Sequence, residues 1–203
     1  LNFRSRGSDF PQHQGYLRAD PERVKYWSER LRKLGPGRKI GLSWRGGTHS
    51  TERQRRSIEL ESFLPLFMLA NTHFIDLQYS DCQEEVDRVE STHGIVLHRW
   101  REAIDDYSET AALVCALDLV VSVQTAVVHL AGALGRPVRV LVPTAPEWRY
   151  LAAGTSVPWY PSVRIIRQLH DGDWDSVILA VGHELAVEQD ALLGGACGCP
   201  VRV

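Results

Sequence analysis

Short β-branched apolar runs alternate with helix-length amphipathic segments along most of this sequence, and few folds accept that rhythm. Residues 39–44, 73–78, 94–98, 118–122, 137–142 and 163–167 read as strands. Between and after them, residues 60–69, 83–90, 108–116, 125–134 and 174–187 read as helices, with Ser108 capping the third and Gly135 ending the fourth. A strand followed by a helix-length connector returns to pair in parallel. A strand covered on both faces reads as an apolar run rather than as strict alternation. The expected fold class is therefore α/β: a Rossmann-like three-layer parallel sheet with helices on both faces. Ahead of it, Asp20-Pro21-Glu22 supplies an N-cap, a first-turn proline and a favourable acidic residue. Val24, Trp27, Leu31 and Leu34 follow at helical spacing until Gly35-Pro36-Gly37, so residues 21–34 form an N-terminal helical extension.

No internal repeat or linker divides the chain. Residues 1–19 read as an N-terminal extension, 20–190 as one Rossmann-like domain and 191–203 as a tail carrying glycine and cysteine. With 23 Lys and Arg against 25 Asp and Glu, the net charge of −2 excludes a whole-surface footprint for nucleic acid or an anionic membrane. The apolar content of 44% supports a core and excludes global disorder. The most apolar stretch, residues 110–123, is interrupted by Asp118 and is too short for a membrane span. The chain opens on Leu1 without an apolar leader, as expected of a piece of a longer cytoplasmic protein. Cys82 and Cys115 read as buried helical residues; Cys197 and Cys199 lack a second ligand pair, so no metal site is expected.

Ligands in open α/β sheets bind beyond the carboxyl ends of the strands. That rule selects Trp44-Arg45-Gly46-Gly47-Thr48, where two glycines admit close backbone approach and Arg45 offers a fork for phosphate; a plain turn is the alternative. Arg53, Arg55, Arg56 and Ser57 continue this loop, either gripping an anion or forming a solvated face, with Arg56 and Ser57 nearest the following apolar segment. Gln78-Tyr79-Ser80 ends the second strand at the same edge, to contact a base or ribose or simply to cap the sheet.

The densest signal is Ser122-Val123-Gln124-Thr125-Ala126-Val127-Val128-His129. A helix starting at Thr125 aims its free N–H groups and positive dipole end at the crevice, where a diphosphate fits. Thr125 caps it or contributes a hydroxyl. His129, one turn on, shares its face and either contacts a ligand or is a satisfied core histidine. The loop Pro143-Thr144-Ala145-Pro146-Glu147-Trp148-Arg149-Tyr150 offers Trp148 and Arg149 to stack on and pair with a nucleotide, or Trp148 as a cover for the core. Trp159-Tyr160-Pro161 and Gly172-Asp173-Trp174 read as structural, the latter capping the last helix. There is no G-x-S-x-G elbow, H-E-x-x-H or Walker A sequence, so a freestanding hydrolase is poorly supported.

Gly41-Leu42-Ser43-Trp44-Arg45-Gly46, Arg56-Ser57-Ile58, and Thr125-Ala126 with His129 through Pro137 together resemble the carboxy-terminal half of the glycosyltransferase family 9 heptosyltransferases. The similarity extends to the related domains found behind tetratricopeptide repeats in bacterial proteins. It covers residues 15–187 and is most specific over 117–143. The resemblance implies one half of a GT-B fold that binds the nucleotide-sugar donor, with Thr125-Ala126 at the diphosphate and His129 as the family's motif histidine. It implies no cofactor or metal, a nucleotide sugar as partner, and an N-terminal Rossmann or tetratricopeptide domain in the same protein.

Two departures accompany it. Gln124 stands where the family has Asp, and the half expected to carry the acceptor side and general base does not fit within this length. The expected function is thus donor binding for glycosyl transfer, with a non-catalytic nucleotide-sugar-binding or interaction module as the alternative. A third reading, an epimerase, would need an acid/base pair drawn from His129, Glu147 and His49.

Overall fold

Six strands of the computed structural model, which describes residues 9–10, 13–47 and 53–194, lie at the six apolar runs. They are β1 (Arg38–Ser43), β2 (Thr72–Asp76), β3 (Leu97–His98), β4 (Leu119–Val123), β5 (Val138–Val142) and β7 (Tyr160–Arg167). The sequence reading missed β6 (Ser156–Val157), an antiparallel edge strand two residues long and so too short to show a period. The sheet order is β3-β2-β1-β4-β5-β7-β6, parallel except at that edge. Because successive strands run outward from β1 on one side and from β4 on the other, the direction of winding switches between β1 and β4. Their carboxyl ends therefore frame the crevice where such sheets hold ligands.

Two apolar layers clamp the sheet. On one face, α1 (Pro21–Arg32), α4 (Arg101–Asp105), α5 (Tyr107–Ala116) and α6 (Ala126–Ala133) bring Trp27, Leu31, Leu113 and Val128 against Val120, Val138 and Val140. On the other, α2 (Leu64–Phe67), α3 (Gln83–His93) and α7 (Trp174–Gly194) bring Leu66, Val86, Val89 and Ile178 against Ile40, Leu42, Leu119 and Val121. Val120 and Val121 point to opposite layers, as pleating requires. The architecture is the mostly parallel α/β one expected. The α1 extension is bound into it: Glu109 of α5 accepts from Arg23 Nε at 2.6 Å and from the Trp27 indole at 2.8 Å.

Local differences have local causes. The helix expected over 60–69 is a 3-10 turn, Leu60–Phe63, followed by the short α2, because Pro65 has no N–H to continue the ladder and sits where a new first turn begins. Asp106, not Ser108, caps α5, its carboxylate accepting from the Ser108 and Glu109 amides, and α4 precedes it. Cys82 lies at the N-cap position of α3 rather than inside a helix; Cys82 and Cys115 are free thiols, and Cys197 and Cys199 lie outside the described residues. Helix α7 continues to Gly194, with Gln189 Nε2 donating to Ala70 O at 2.7 Å. Among the described residues no helix is long and apolar enough to cross a membrane.

Residues leading into α1 are also tied down. The Tyr16 and Leu17 amides both donate to Ala133 O, at 2.7 and 2.9 Å. Gly135, at φ 70°, makes this approach possible: a Cβ there would lie 1.9 Å from Gln14 O.

Candidate functional site

A cleft of about 650 Å³ opens beyond the carboxyl ends of β1, β4 and β5. Its floor is the corner where β4 turns into α6. Thr125 occupies the N-cap position with extended backbone (φ −126°, ψ 172°), yet its hydroxyl bonds Ser122 Oγ at 2.9 Å and no side chain caps α6. The Gln124 residue is 1% exposed, and its side-chain Oε1 and Nε2 have no hydrogen-bond partner while bordering the cleft. A buried amide with both functions unmet is costly unless a ligand or water completes it.

The loop after β1 folds back to reach this corner. Arg45 bridges Ser57, the Ile58 amide donates to Trp44 O at 2.9 Å, and the Ser57 hydroxyl bonds both the amide and the carbonyl of Gly46 at 3.2 Å. Gly46 is required here: a Cβ would lie 2.9 Å from Gln124 O and 3.0 Å from Arg56 O. This folding delivers Arg56, whose Nη2 donates to Gln124 O at 2.7 Å. Its Nη1 pairs with Glu147 at 2.5 Å, and Glu147 in turn pairs with Arg149 Nη1 at 2.9 Å. One carboxylate thus lies between two guanidiniums at the mouth of an uncapped helix start.

The side wall is aromatic. The Tyr150 hydroxyl lies 3.5 Å from His129 Nε2, one turn into α6. Burial pushes His129 below its ordinary pKa, Arg149 pushes the same way and Glu147 opposes, so the imidazole is neutral at pH 7. Burial likewise pushes the Tyr150 hydroxyl up, keeping it a proton donor. At the rim, Trp148 is 72% exposed, with the Arg149 guanidinium 5.0 Å from its ring and Trp159 edge-on at 6.0 Å.

The structure therefore brings Arg56, Gln124, Thr125, Ala126, His129, Trp148 and Arg149 to one cleft, with Ser57 and Gly46 bracing it from behind. It does not bring Trp44, Arg45 or Gln78 there. Trp44 is fully buried, its indole donating to Glu85 at 2.9 Å, and Arg45 Nε donates to the same carboxylate oxygen at 2.8 Å. Gln78 is also fully buried; its Oε1 accepts from the Trp44 and Arg45 amides and the Ser43 hydroxyl, and its Nε2 donates to Arg45 O and Ser80. These three residues build the loop rather than line the cleft. Arg55 pairs with Asp171 at 3.3 Å on the exposed surface, and Thr48 and His49 lie outside the described residues.

Three contributors escaped the sequence reading. Trp159 and Tyr160, read as structural, line the cleft because the β6–β7 hairpin folds them onto it. Glu147, considered only as an acid/base candidate, is the counter-ion of both arginines. The clustering of Glu147, Trp148 and Arg149 just after a strand was the available signal; nothing local marked Trp159. Among the described residues, no group of three or more His, Cys, Asp or Glu side chains is placed to hold a metal ion. The assembled chemistry is an anion seat beside an aromatic rim.

No family model matches the chain. Over 179 residues, 86% of this chain, it is 37% identical to the protein FlbA of Caulobacter vibrioides, of whose length it spans 29%. The Escherichia coli ADP-heptose lipopolysaccharide heptosyltransferase II superposes with a TM-score of 0.59 at 14% identity, covering 91% of this chain and 57% of that one. A family 9 glycosyltransferase from Veillonella parvula gives 0.56 at 13%, covering 86% and 47%. The E. coli heptosyltransferase WaaC, solved with ADP-2-deoxy-2-fluoro heptose, gives 0.54 at 16%, covering 81% and 47%. At these identities the likeness is one of fold, and the chain spans about half the length of those enzymes. The chain thus has the α/β, GT-B heptosyltransferase-like fold seen in part of the glycosyltransferase family 9 enzymes.

Proposed function

We propose that this cleft binds the nucleoside diphosphate of a nucleotide sugar and that the chain is the donor-binding domain of a glycosyltransferase. The observation that carries the reading is convergence: an uncapped helix start, a buried unpartnered amide, two arginines and an aromatic rim meet in one cleft at the switch point of the sheet. Amides at Thr125 and Ala126, with Arg56, are placed to stabilise negative charge developing on a departing diphosphate. Trp148 offers a face for the base, and Arg149 backs it. The positive field comes from helix and guanidinium, so binding is expected to survive chelation of divalent ions.

Glu147 is the one carboxylate among the described residues lining the cleft, and two arginines hold it. The base that activates the acceptor hydroxyl would then come from elsewhere, an N-terminal Rossmann half or a tetratricopeptide-linked partner domain of the same cytoplasmic protein. Titration of the chain with UDP-glucose, GDP-mannose and ADP-glucose, followed by calorimetry, tests the reading. Saturable binding of at least one is expected; a folded protein that binds none refutes it. The neutral Gln124 amide, which cannot accept a proton as a carboxylate does, favours a second reading, a module that binds nucleotide sugars without turning them over. Sugar transfer by the longer protein would exclude it.

A further inference from the structure

The proposed diphosphate seat holds an internal negative charge, and that charge bears on which diphosphates it accepts. Arg56 contacts Gln124 O through Nη2 and Glu147 through Nη1, so a diphosphate at the α6 start lies within one guanidinium width of the Glu147 carboxylate. Among the described lining residues, Arg56 and Arg149 are offset by Glu147, and His129 is neutral; the seat retains roughly one positive charge plus the partial charge of the helix end, ~0.5. A diphosphate substituted at both ends carries about one negative charge per phosphate, whereas a free terminal phosphate takes on a further ionisation near pH ~6.

We propose that Glu147 sets the charge selectivity of the cleft: it favours a diphosphate esterified at both ends, as in a nucleotide sugar, over a nucleoside diphosphate with a free terminal phosphate. This deepens the proposed function and rests on it. The carboxylate shares both guanidiniums, so the charge that remains is closer to that of a doubly substituted diphosphate than to that of one with a free terminal phosphate. The extra charge of a free terminal phosphate meets Glu147 across the width of Arg56, in a cleft where water only partly screens it. The same repulsion loosens the more highly charged species left once the sugar has gone.

The test compares wild type with Glu147→Gln, which keeps shape and removes charge, and with Glu147→Asp, which keeps charge. Affinities for UDP, GDP and ADP and for UDP-glucose, GDP-mannose and ADP-glucose are measured by calorimetry at one ionic strength, with thermal melts to confirm folding. In Glu147→Gln the affinity for a nucleoside diphosphate relative to its nucleotide sugar should rise about tenfold, as for the one extra unit charge lying ~6 Å from the carboxylate in a half-wet site. The nucleotide sugar should gain less, because it carries one charge fewer to be repelled. Glu147→Asp should keep the wild-type ratio. A ratio unchanged in Glu147→Gln, or both ligands weakened together, would overturn the proposal and leave Glu147 as a brace for the two arginines. If none of the six ligands binds the wild type, the donor-binding reading fails and the selectivity proposal falls with it.

Discussion

Replacing Glu85 with Gln is expected to destabilise the fold by about 3 kcal/mol, the sum of one orphaned buried donor and one lost charge-assisted bond. The Glu85 side chain lies beneath the β1 loop with its two oxygens fully used. Oε1 accepts from the Leu60 amide at 2.8 Å, and Oε2 accepts from the Trp44 indole at 2.9 Å and Arg45 Nε at 2.8 Å. A glutamine amide has one acceptor end. Whichever way it turns, its NH2 faces a donor, and either Leu60 or the Trp44–Arg45 pair is left unmet in the interior. Unfolding entropy of ~2.1 cal/mol/K per residue, over 203 residues, converts the loss to a fall in Tm of about 7 °C.

Urea denaturation followed by tryptophan fluorescence, with calorimetry for Tm, measures the effect. The pH dependence has a definite sign. Burial alone pushes the Glu85 carboxyl up, but Arg45, the Leu60 amide and the Trp44 indole outweigh it and hold the group below its ordinary value. Its contribution is therefore present above the ordinary carboxylate range and is lost as pH falls through the folded-state pKa, so the gap between variant and wild type should narrow below about pH 4. A loss under ~1 kcal/mol at pH 7, less than one orphaned donor should cost, would refute the account of Glu85 as the anchor of this loop.

Trp148→Ala should leave Tm unchanged, because the ring is exposed, and weaken nucleotide binding about tenfold through lost base stacking; unchanged affinity would remove Trp148 from the site. The His129 imidazole, held down chiefly by burial, should titrate below 6.5 in an NMR pH series. The stability this adds is present above 6.5 and lost as pH falls through the lowered value, and a midpoint above 6.5 would contradict the geometry. Asp106→Ala should cost about 1 kcal/mol and Ser108→Ala close to nothing, since the Asp106 carboxylate caps α5; chemical denaturation of both variants would show the reverse if Ser108 were the cap.

What the sequence determined by itself is what depends on neighbours a few residues apart. Apolar runs and helical spacing placed six strands in order, Asp20-Pro21 and Gly35 bounded α1, and the Gln124–Ala126 corner was legible because a strand end, a helix start and the rule about carboxyl edges all apply locally. What tertiary structure decided is which way each loop side chain faces. Trp44, Arg45 and Gln78 follow a strand as ligand-binding residues do, yet Glu85, some 40 residues later, draws the first two inward, and Gln78 spends its amide on the loop itself. Arg56 reaches the cleft only because Gly46 lets its loop touch Gln124, and Trp159 only because a two-residue edge strand folds it there. A charged or aromatic side chain takes its partner from whatever the fold sets within a few ångströms, and that distance is not written in sequence separation.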